Sequence, residues 1–149
     1  MRKRIFLFSA LTFLFLCTNC TFACQCWDNS IEDEIKTTDL IFVGKVTKIN
    51  AINQKNIFGQ DKVEVFFDVL KVYKGNVASG FYLDTVLEDR RRELEASCEG
   101  YNFEFNKVYL VFSKKAKDGT FGTDVCSRTK IIDHATEDLK TIEALTKSK

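Results

Sequence analysis

The chain has 149 residues, of which six are cysteine, one is histidine and none is proline, and its formal net charge is +1. A length close to that of one typical domain argues against a multidomain enzyme, and a hydrophobic content of 45% argues against a disordered chain. The single histidine, His134, excludes a zinc centre with several imidazoles and argues against an enzyme, and the near-neutral charge argues against nucleic-acid binding.

Residues 1–23 have the layout of a secretory signal peptide. Three basic residues at positions 2–4 precede an apolar run at 5–17, and Ala23 is small enough for the cleavage site. The apolar run has about 13 residues, whereas a membrane-spanning helix needs about 20, so we expect no membrane span. Cleavage would make Cys24 the first residue. It would remove three positive charges and no negative one, so the formal charge would fall from +1 to −2.

A cysteine at the cleavage point is also found in bacterial lipoproteins, where it becomes lipidated. Their signals generally carry leucine or a similar aliphatic residue three positions before that cysteine, where this chain has Thr21 before Cys24. The other candidate, Cys20, has Cys17 in that position and Asn19 next to it. We therefore expect a secreted protein, extracellular or periplasmic, and lipid anchoring stays open as an alternative.

Export would leave four cysteines, Cys24, Cys26, Cys98 and Cys126, in an oxidising compartment. An even number there indicates two disulfides. The connectivity that joins Cys24 to Cys26 is the least favourable, because one residue separates them and disulfide geometry is hard to reach; the other two connectivities stay open. Each bridge would close a loop of about 75 to 100 residues, worth about 4 kcal/mol in the chain-entropy model. A four-thiolate zinc site is the competing use, and secretion disfavours it.

The first predicted elements of the exported chain are a short helix and a long strand. Ser30 is placed to cap a helix over 31–36, with Asp33 as its capping-box partner. Leu40–Ile49 is dominated by Leu, Ile, Phe and Val and predicts a strand, with Gly44 as a bulge or sharp bend. Trp27 is expected to pack as a lid on the barrel, and a surface aromatic of a binding edge is the alternative.

Four more strands are predicted after the polar stretch Asn50–Gln60, which reads as a loop. Apolar and polar residues alternate from Val63 to Tyr73, and Lys74–Asn76 marks the turn that ends this second strand. The remaining three strands are Phe81–Val86, Val108–Ser113 and Thr120–Cys126, the last of which follows a turn at Asp118 and Gly119.

Two further segments are predicted to be helical or solvated. Glu88–Glu95 is rich in charge and fits one or two helical turns. Its three arginines at 90–92 suggest heparin or phosphate binding, but four acidic neighbours largely cancel their charge, so a solvated connection is favoured. Near the end of the chain four apolar residues recur at helical spacing and predict an amphipathic helix that packs on the strands. They are Ala135, Leu139, Ile142 and Leu145. His134 is expected at the surface, without a metal role.

Five strands with helices at both ends, within residues 24–149, favour an all-β fold with flanking helices. A small closed antiparallel barrel removes exposed sheet edges. We therefore expect a five-stranded OB-like β-barrel with a short N-terminal helix and a C-terminal helix, acting as a monomer.

Six segments of the chain carry a resemblance to a known family. They are Cys24–Cys26, Thr38–Val46, Val69–Asn76, Cys98–Phe103, Lys107–Phe112 and Cys126–Thr129. Together they resemble the N-terminal, netrin-like domain of the tissue inhibitors of metalloproteinases. The most specific element is the Cys-x-Cys start combined with two later cysteines at fitting spacing. The resemblance implies an OB-like barrel and the bridges Cys24–Cys98 and Cys26–Cys126.

The resemblance also implies a function, the inhibition of zinc metalloendopeptidases. The α-amine and carbonyl oxygen of Cys24 would chelate the catalytic zinc of the partner protease, and the chain would have no cofactor of its own. Gln25 would enter the first primed-side pocket, with Cys26 beside it, and Ala96 and Ser97 would form the neighbouring part of the binding ridge. In the alternative interpretation, Cys24 is only a structural half-cystine and the domain is a secreted, non-inhibitory protein-binding module.

Overall fold

The computed structural model describes residues 26–27, 29–56, 59–87 and 100–147. The strands are β1 (Leu40–Lys55), β2 (Asp61–Lys74), β3 (Phe81–Val86), β4 (Val108–Lys115), β5 (Phe121–Gly122) and β6 (Lys130–Ile131). The helices are α1 (Ile31–Thr37), a 3-10 helix (Ile132–His134) and α2 (Thr136–Lys147). The predicted helical turns at Glu88–Glu95 and the arginines at 90–92 lie outside the described residues.

The strands close into a barrel in the order β1-β2-β3-β5-β4, and β4 pairs again with β1. This confirms the predicted five-stranded OB-like barrel with a helix on each side in sequence. One pairing differs from the expected antiparallel pattern: β3 and β5 run parallel and meet at Asp84 and Gly122. The additional strand β6 pairs with β4 outside the ring of five.

The core has two parts, and both use strand β1. Leu40 and Phe42 point into the barrel, where Phe42 meets Phe67 edge to face with 5.3 Å between ring centroids. Ile41 and Val43 point to the opposite face and pack in a second cluster that includes residues of α2. Successive side chains of a strand alternate between its faces, so a strand covered on both sides is apolar throughout. This explains why the sequence of β1 shows no alternation at its start.

Gly44 lies where β1 bends around the barrel. The register with β2 shifts between Val43 and Gly44, which confirms the predicted bulge. A Cβ atom at this position would lie 2.8 Å from the ring of Phe42 and 3.2 Å from the ring of Phe67. Glycine therefore lets two aromatic rings approach the backbone of β1.

The short helix α1 begins as the sequence predicts. Ser30 is its N-cap: the Ser30 side chain accepts a hydrogen bond from the backbone N–H of Asp33 at 3.2 Å and its hydroxyl donates to the Asp33 carboxylate at 2.9 Å. At the other end, the Lys74 ammonium donates to the backbone carbonyls of Ile35 at 2.7 Å and of Thr38. Lys74 thus ties the C-terminus of α1 to the end of β2.

The predicted loop at Asn50–Gln60 is wrong for its first six residues. Strand β1 continues to Lys55 and stays paired with β2, and Lys55 forms an ion pair with Asp61 at 2.9 Å. Most side chains of this extension are exposed or half-buried. Because the paired strands project beyond the core, their polar sequence does not prevent strand pairing.

The fifth strand is shorter than predicted, because Thr120–Cys126 contains only the two paired residues Phe121 and Gly122. After them the Asp124 side chain accepts a hydrogen bond from the backbone N–H of Cys126 at 2.9 Å and turns the chain. This Asp-based turn replaces the remainder of the expected strand.

The C-terminal helix is confirmed. Ala135, which precedes α2, and Ile142 are buried against β1 and β4, and Leu139 packs at the edge of the same cluster. Leu145 is 39% exposed, which agrees with its place in the last turn. His134 is exposed, as expected, in the 3-10 helix before α2.

Candidate functional site

The N-terminal segment was predicted to carry the site, and the structure describes only its later part. Cys26 and Trp27 are described, whereas Cys24 and Gln25 lie outside the described residues. So do Ala96, Ser97 and Cys98. The described part of the predicted site therefore consists of Cys26 and the groups that hold it.

A disulfide joins Cys26 to Cys126, with 5.1 Å between the Cα atoms and a sequence separation of 100 between the partners. This is one of the two bridges implied by the family resemblance, and the other, Cys24–Cys98, falls outside the described residues. In the chain-entropy model, closing a loop of this length stabilises the fold by about 4.7 kcal/mol. The bridge attaches the N-terminal segment covalently to the loop that follows β5.

The loop that carries Cys126 is held to the barrel by hydroxyl groups. The Thr123 and Thr129 hydroxyl oxygens lie 2.9 Å apart, and Thr123 lies 2.9 Å from the Ser127 hydroxyl. Thr123 donates to the carbonyl of Phe112 in β4 at 2.8 Å, and Thr129 accepts from the N–H of the same residue at 2.9 Å. Thr123 and Thr129 are buried. Buried, satisfied hydrogen bonds of this kind give the loop a single position.

A charged cluster lies beside this loop, around Asp138 in the first turn of α2. Arg128 reaches the Asp138 carboxylate with an Nη2–Oδ1 distance of 2.8 Å, and Lys130 Nζ lies 2.7 Å from Oδ2. The Asp138 side chain is only 8% exposed. Burial alone would raise its pKa, but the hydrogen bonds from Arg128 and Lys130 outweigh burial and hold the pKa below the usual 3.8. Asp138 is therefore a buried carboxylate that stays ionised.

Arg128 also contacts the N-terminal segment. Its Nη1 donates to the backbone carbonyl of Asn29 at 3.1 Å, while Nε and Nη2 face Asp138. The backbone N–H of Asn29 donates in turn to the carbonyl of Trp27 at 2.9 Å. Arg128 therefore connects α2 to the segment that holds Cys26 and Trp27.

Trp27 was expected to pack as a lid on the barrel, and this prediction is wrong. Its side chain is 88% exposed. The barrel interior is already filled by aromatic rings, such as Phe67 and Phe103 with centroids 5.2 Å apart, and the bridge that holds the segment lies at the surface. Val125, on the other side of the bridge, is 37% exposed. The indole therefore lies on the surface and not against the core.

A separate cleft lies at one end of the barrel, between the β1–β2 and β4–β5 connections. Its volume is about 610 Å³, and its lining includes Lys62, Lys114, Lys115, Phe121 and Asp84. One carboxylate oxygen of Asp84 is buried and has no hydrogen-bond partner among the described residues. Its burial and the nearby Glu64 raise the pKa of Asp84. The cleft thus combines several lysine ammonium groups with one poorly solvated carboxyl.

An aromatic pair lies on the outer face of the barrel, on strands β2 and β3. Phe66 of β2 and Tyr82 of β3 are cross-strand partners, with ring centroids 5.4 Å apart. Lys48 Nζ stands 5.6 Å from the centroid of the Phe66 ring, and Tyr82 is 46% exposed. In OB folds, this face and the adjoining loops often bind ligands.

Sequence reasoning missed Arg128 and Asp138 as parts of the site. The available signal was weak: two basic residues, Arg128 and Lys130, stand two apart and point to one face, and an acidic residue follows in the first turn of a predicted helix. Opposite charges at such positions are common on protein surfaces. Only the packing of α2 on β4 and β6 brings these charges together.

Comparisons with known proteins do not place the chain in a family: no family model matches it, and no curated protein is significantly similar. Among the described residues, no helix is long and apolar enough to cross a membrane. Three or more side chains of the kinds that bind metals do not come together anywhere in the described part of the chain.

Proposed function

We propose that the mature chain begins at Cys24, is secreted and inhibits zinc metalloendopeptidases. In this proposal the α-amine and carbonyl oxygen of Cys24 occupy the open coordination position of the protease zinc. An exported chain is compatible with the disulfide, because such bridges form and persist in oxidising compartments.

The observation that carries the proposal is the attachment of the N-terminal segment at Cys26, two residues after Cys24. A free chain terminus loses conformational entropy when it binds, and a covalent attachment reduces that cost before the protease arrives. The exposed Trp27 next to the bridge supports the proposal further. A large aromatic side chain, presented outside the core, is typical of the anchors of protein interfaces.

The proposed chemistry depends on the protonation state of the α-amine. A catalytic zinc keeps one coordination position open for water or substrate, and a neutral amine is a suitable ligand there. The usual pKa of an α-amine is about 7.7 to 8.0, so coordination displaces one weakly held proton near neutral pH. Inhibition should therefore weaken as the pH falls below that range.

Two matched proteins test the proposal: refolded protein that starts at Cys24, and the same protein with one alanine added before Cys24. Both are assayed against a panel of zinc metalloproteases, and a serine protease serves as the control. We expect the first protein to inhibit and the extended protein to lose inhibition, because its amine is displaced from the zinc. Equal inhibition by both, or inhibition by neither, refutes chelation by Cys24.

The intact mass of exported protein tests the proposed processing directly. Cleavage after Ala23, formation of two disulfides, lipidation and acylation of the amine each change the mass by a known amount. A blocked amine on Cys24 would exclude chelation.

A second candidate function is a secreted, non-inhibitory protein-binding module, and the outer face of the barrel favours it. The partly exposed Phe66–Tyr82 pair lies beside the cleft that Asp84 lines. Under this alternative, immobilised protein retains a partner from the secreted fraction whether or not the extra alanine is present. Retention falls when Tyr82 is replaced by serine, and retention that is the same for both proteins contradicts a role of this face in binding.

A further inference from the structure

Before the chain enters α1 at Ile31, two contacts among the described residues hold the N-terminal segment to the rest of the protein, and they lie close together. Cys26 is bonded to Cys126, and the carbonyl of Asn29 accepts a hydrogen bond from Arg128. The two attached residues are three apart in the segment, and their partners are two apart in the loop after β5. A segment held at a single disulfide can still turn about the single bonds of the bridge. A second attachment three residues later removes that freedom.

The guanidinium of Arg128 is suited to this task because it uses different nitrogens for different partners. Nε and Nη2 face the Asp138 carboxylate at 3.4 and 2.8 Å, and Nη1 donates to Asn29 at 3.1 Å. Arginine presents its donors in a rigid planar fork, whereas a lysine ammonium is a compact point donor on a flexible stem. The orientation of Arg128 is therefore set by Asp138 and passed on to Asn29.

Asp138 is in turn fixed to the core. It lies in the first turn of α2, and α2 is held by the buried Ala135 and Ile142. A carboxylate in the first turn of a helix is also favoured by the helix dipole. Because Lys130 contacts the same carboxylate at 2.7 Å, Asp138 keeps one cationic partner when Arg128 is changed. A variant of Arg128 therefore does not leave an isolated buried charge.

We infer that Arg128 is a positioning residue: oriented by Asp138, it holds the N-terminal segment at Asn29 and so sets how Trp27 is presented to a protease. The consequence for inhibition rests on the proposed function. The effect of Arg128 on the position of the segment does not depend on the proposed function, and it can be measured without any protease. Trp27 is the single tryptophan of the chain and lies between the two attachments, so its fluorescence reports on this segment alone.

The test compares Arg128→Gln with two matched variants in the disulfide-bonded protein that starts at Cys24. Lys130→Gln removes the other cation from Asp138 without touching the N-terminal segment. Lys140→Gln breaks an exposed ion pair with Glu137, 2.9 Å long, on the same helix α2. Time-resolved fluorescence anisotropy of Trp27 is recorded for each protein, and circular dichroism verifies folding.

For Arg128→Gln, we expect the fast component of the Trp27 anisotropy decay to grow in amplitude. We also expect the inhibition constant to rise about tenfold, which equals about 1.4 kcal/mol at 25 °C. Lys130→Gln and Lys140→Gln should leave both quantities unchanged, even if Lys130→Gln lowers the unfolding temperature. If Arg128→Gln does not fold, Arg128→Lys replaces it, since lysine keeps the charge beside Asp138 and loses the second contact.

An unchanged anisotropy decay in the folded Arg128 variant overturns the inference. It is also overturned if Lys130→Gln mobilises Trp27 as much as Arg128→Gln does, because the effect would then come from general destabilisation. If the parent protein inhibits no protease, the proposed function fails, whereas the anisotropy comparison still decides whether Arg128 positions the segment.

Discussion

Replacement of Gly44 by alanine tests whether the two aromatic rings beside β1 are as tightly packed as their geometry indicates. Two effects of opposite sign compete at this position. Removal of a glycine from a strand interior should stabilise the protein by about 0.5–1 kcal/mol through the entropy of the unfolded chain. The new methyl group would, however, lie 2.8 Å from the Phe42 ring, which is much shorter than the ordinary contact distance of 3.4–4 Å.

The Phe42 ring has little room to move away. It is fully buried and lies edge to face with both Phe67 and Phe81, at centroid distances of 5.3 and 5.5 Å. Overpacking in such a core costs about 2 kcal/mol, and the entropy gain offsets about 0.75 kcal/mol of it, so the net effect of Gly44→Ala is a destabilisation of about 1 kcal/mol. With a urea dependence of about 2 kcal/mol per molar, the unfolding midpoint should fall by about 0.5 M.

The assay is urea unfolding followed by circular dichroism, carried out as a double-mutant cycle with Phe42→Leu. Phe42→Leu leaves space for the methyl group, so Gly44→Ala should cost about 1 kcal/mol less in that background than in the parent, which is the usual size of the coupling between two residues in contact. A neutral or stabilising effect of Gly44→Ala in the parent, or two additive substitutions, would refute the argument that Phe42 excludes a side chain at this bulge.

Three further predictions concern the groups around the N-terminal segment. Because the folded pKa of Asp138 lies below its unfolded value near 3.8, its ionisation contributes stability above that pH, and the contribution is lost as the pH falls through the folded value. Acid unfolding of Asp138→Asn should therefore lack this part of the pH dependence, and a parallel pair of acid titration curves contradicts the assignment. Replacement of both Cys26 and Cys126 by alanine should lower the free energy of unfolding by about 2–5 kcal/mol, measured in urea without reductant, and a change below about 1 kcal/mol would contradict the constraint attributed to the bridge. Lys74→Met removes the ammonium that donates to the carbonyls of α1, and we expect a loss of about 1–3 kcal/mol, with faster hydrogen exchange confined to α1; uniform exchange throughout the barrel is the contrary result.

The barrel could be predicted because its strands carry strong local patterns. Alternation identifies β2, and Phe81–Val86 has the same bounds in the sequence prediction and in the structure. The helix α1 has a capping serine, and α2 has three apolar residues at helical spacing, which continue the spacing set by Ala135 just before the helix. These signals depend on neighbouring residues, so one sequence is sufficient to recognise them.

The predicted bounds were wrong where strand pairing or a polar side chain decides the local structure and the hydrophobic pattern of the sequence does not. Asn50–Lys55 is polar and yet extends β1, because its hydrogen bonds to β2 do not require burial. The expected fifth strand ends early because the Asp124 side chain bonds to the backbone of its own loop. Both features depend on contacts that composition does not reveal.

The site was only partly predictable. The pairing of Cys26 with Cys126 was implied by a family resemblance, since spacing alone left two connectivities open. The exposure of Trp27 contradicts the usual tendency of tryptophan to pack, and the cause lies in the filled barrel interior rather than near Trp27 in sequence. The contact of Arg128 with Asn29 joins residues 99 apart. No local pattern encodes a contact of that separation.

The Cys26–Cys126 disulfide divides the described chain into a covalent ring and a tail. The five strands of the barrel lie within the ring, whereas β6 and α2 follow it. The bridge lowers the entropy of the unfolded chain between the two cysteines, so it stabilises the barrel. The tail is held by noncovalent packing alone among the described residues. Arg128 and Asp138 both belong to the tail. Detachment of α2 would thus release the second anchor of the N-terminal segment while the ring stays closed, so the geometry of the segment is coupled to the docking of the last helix.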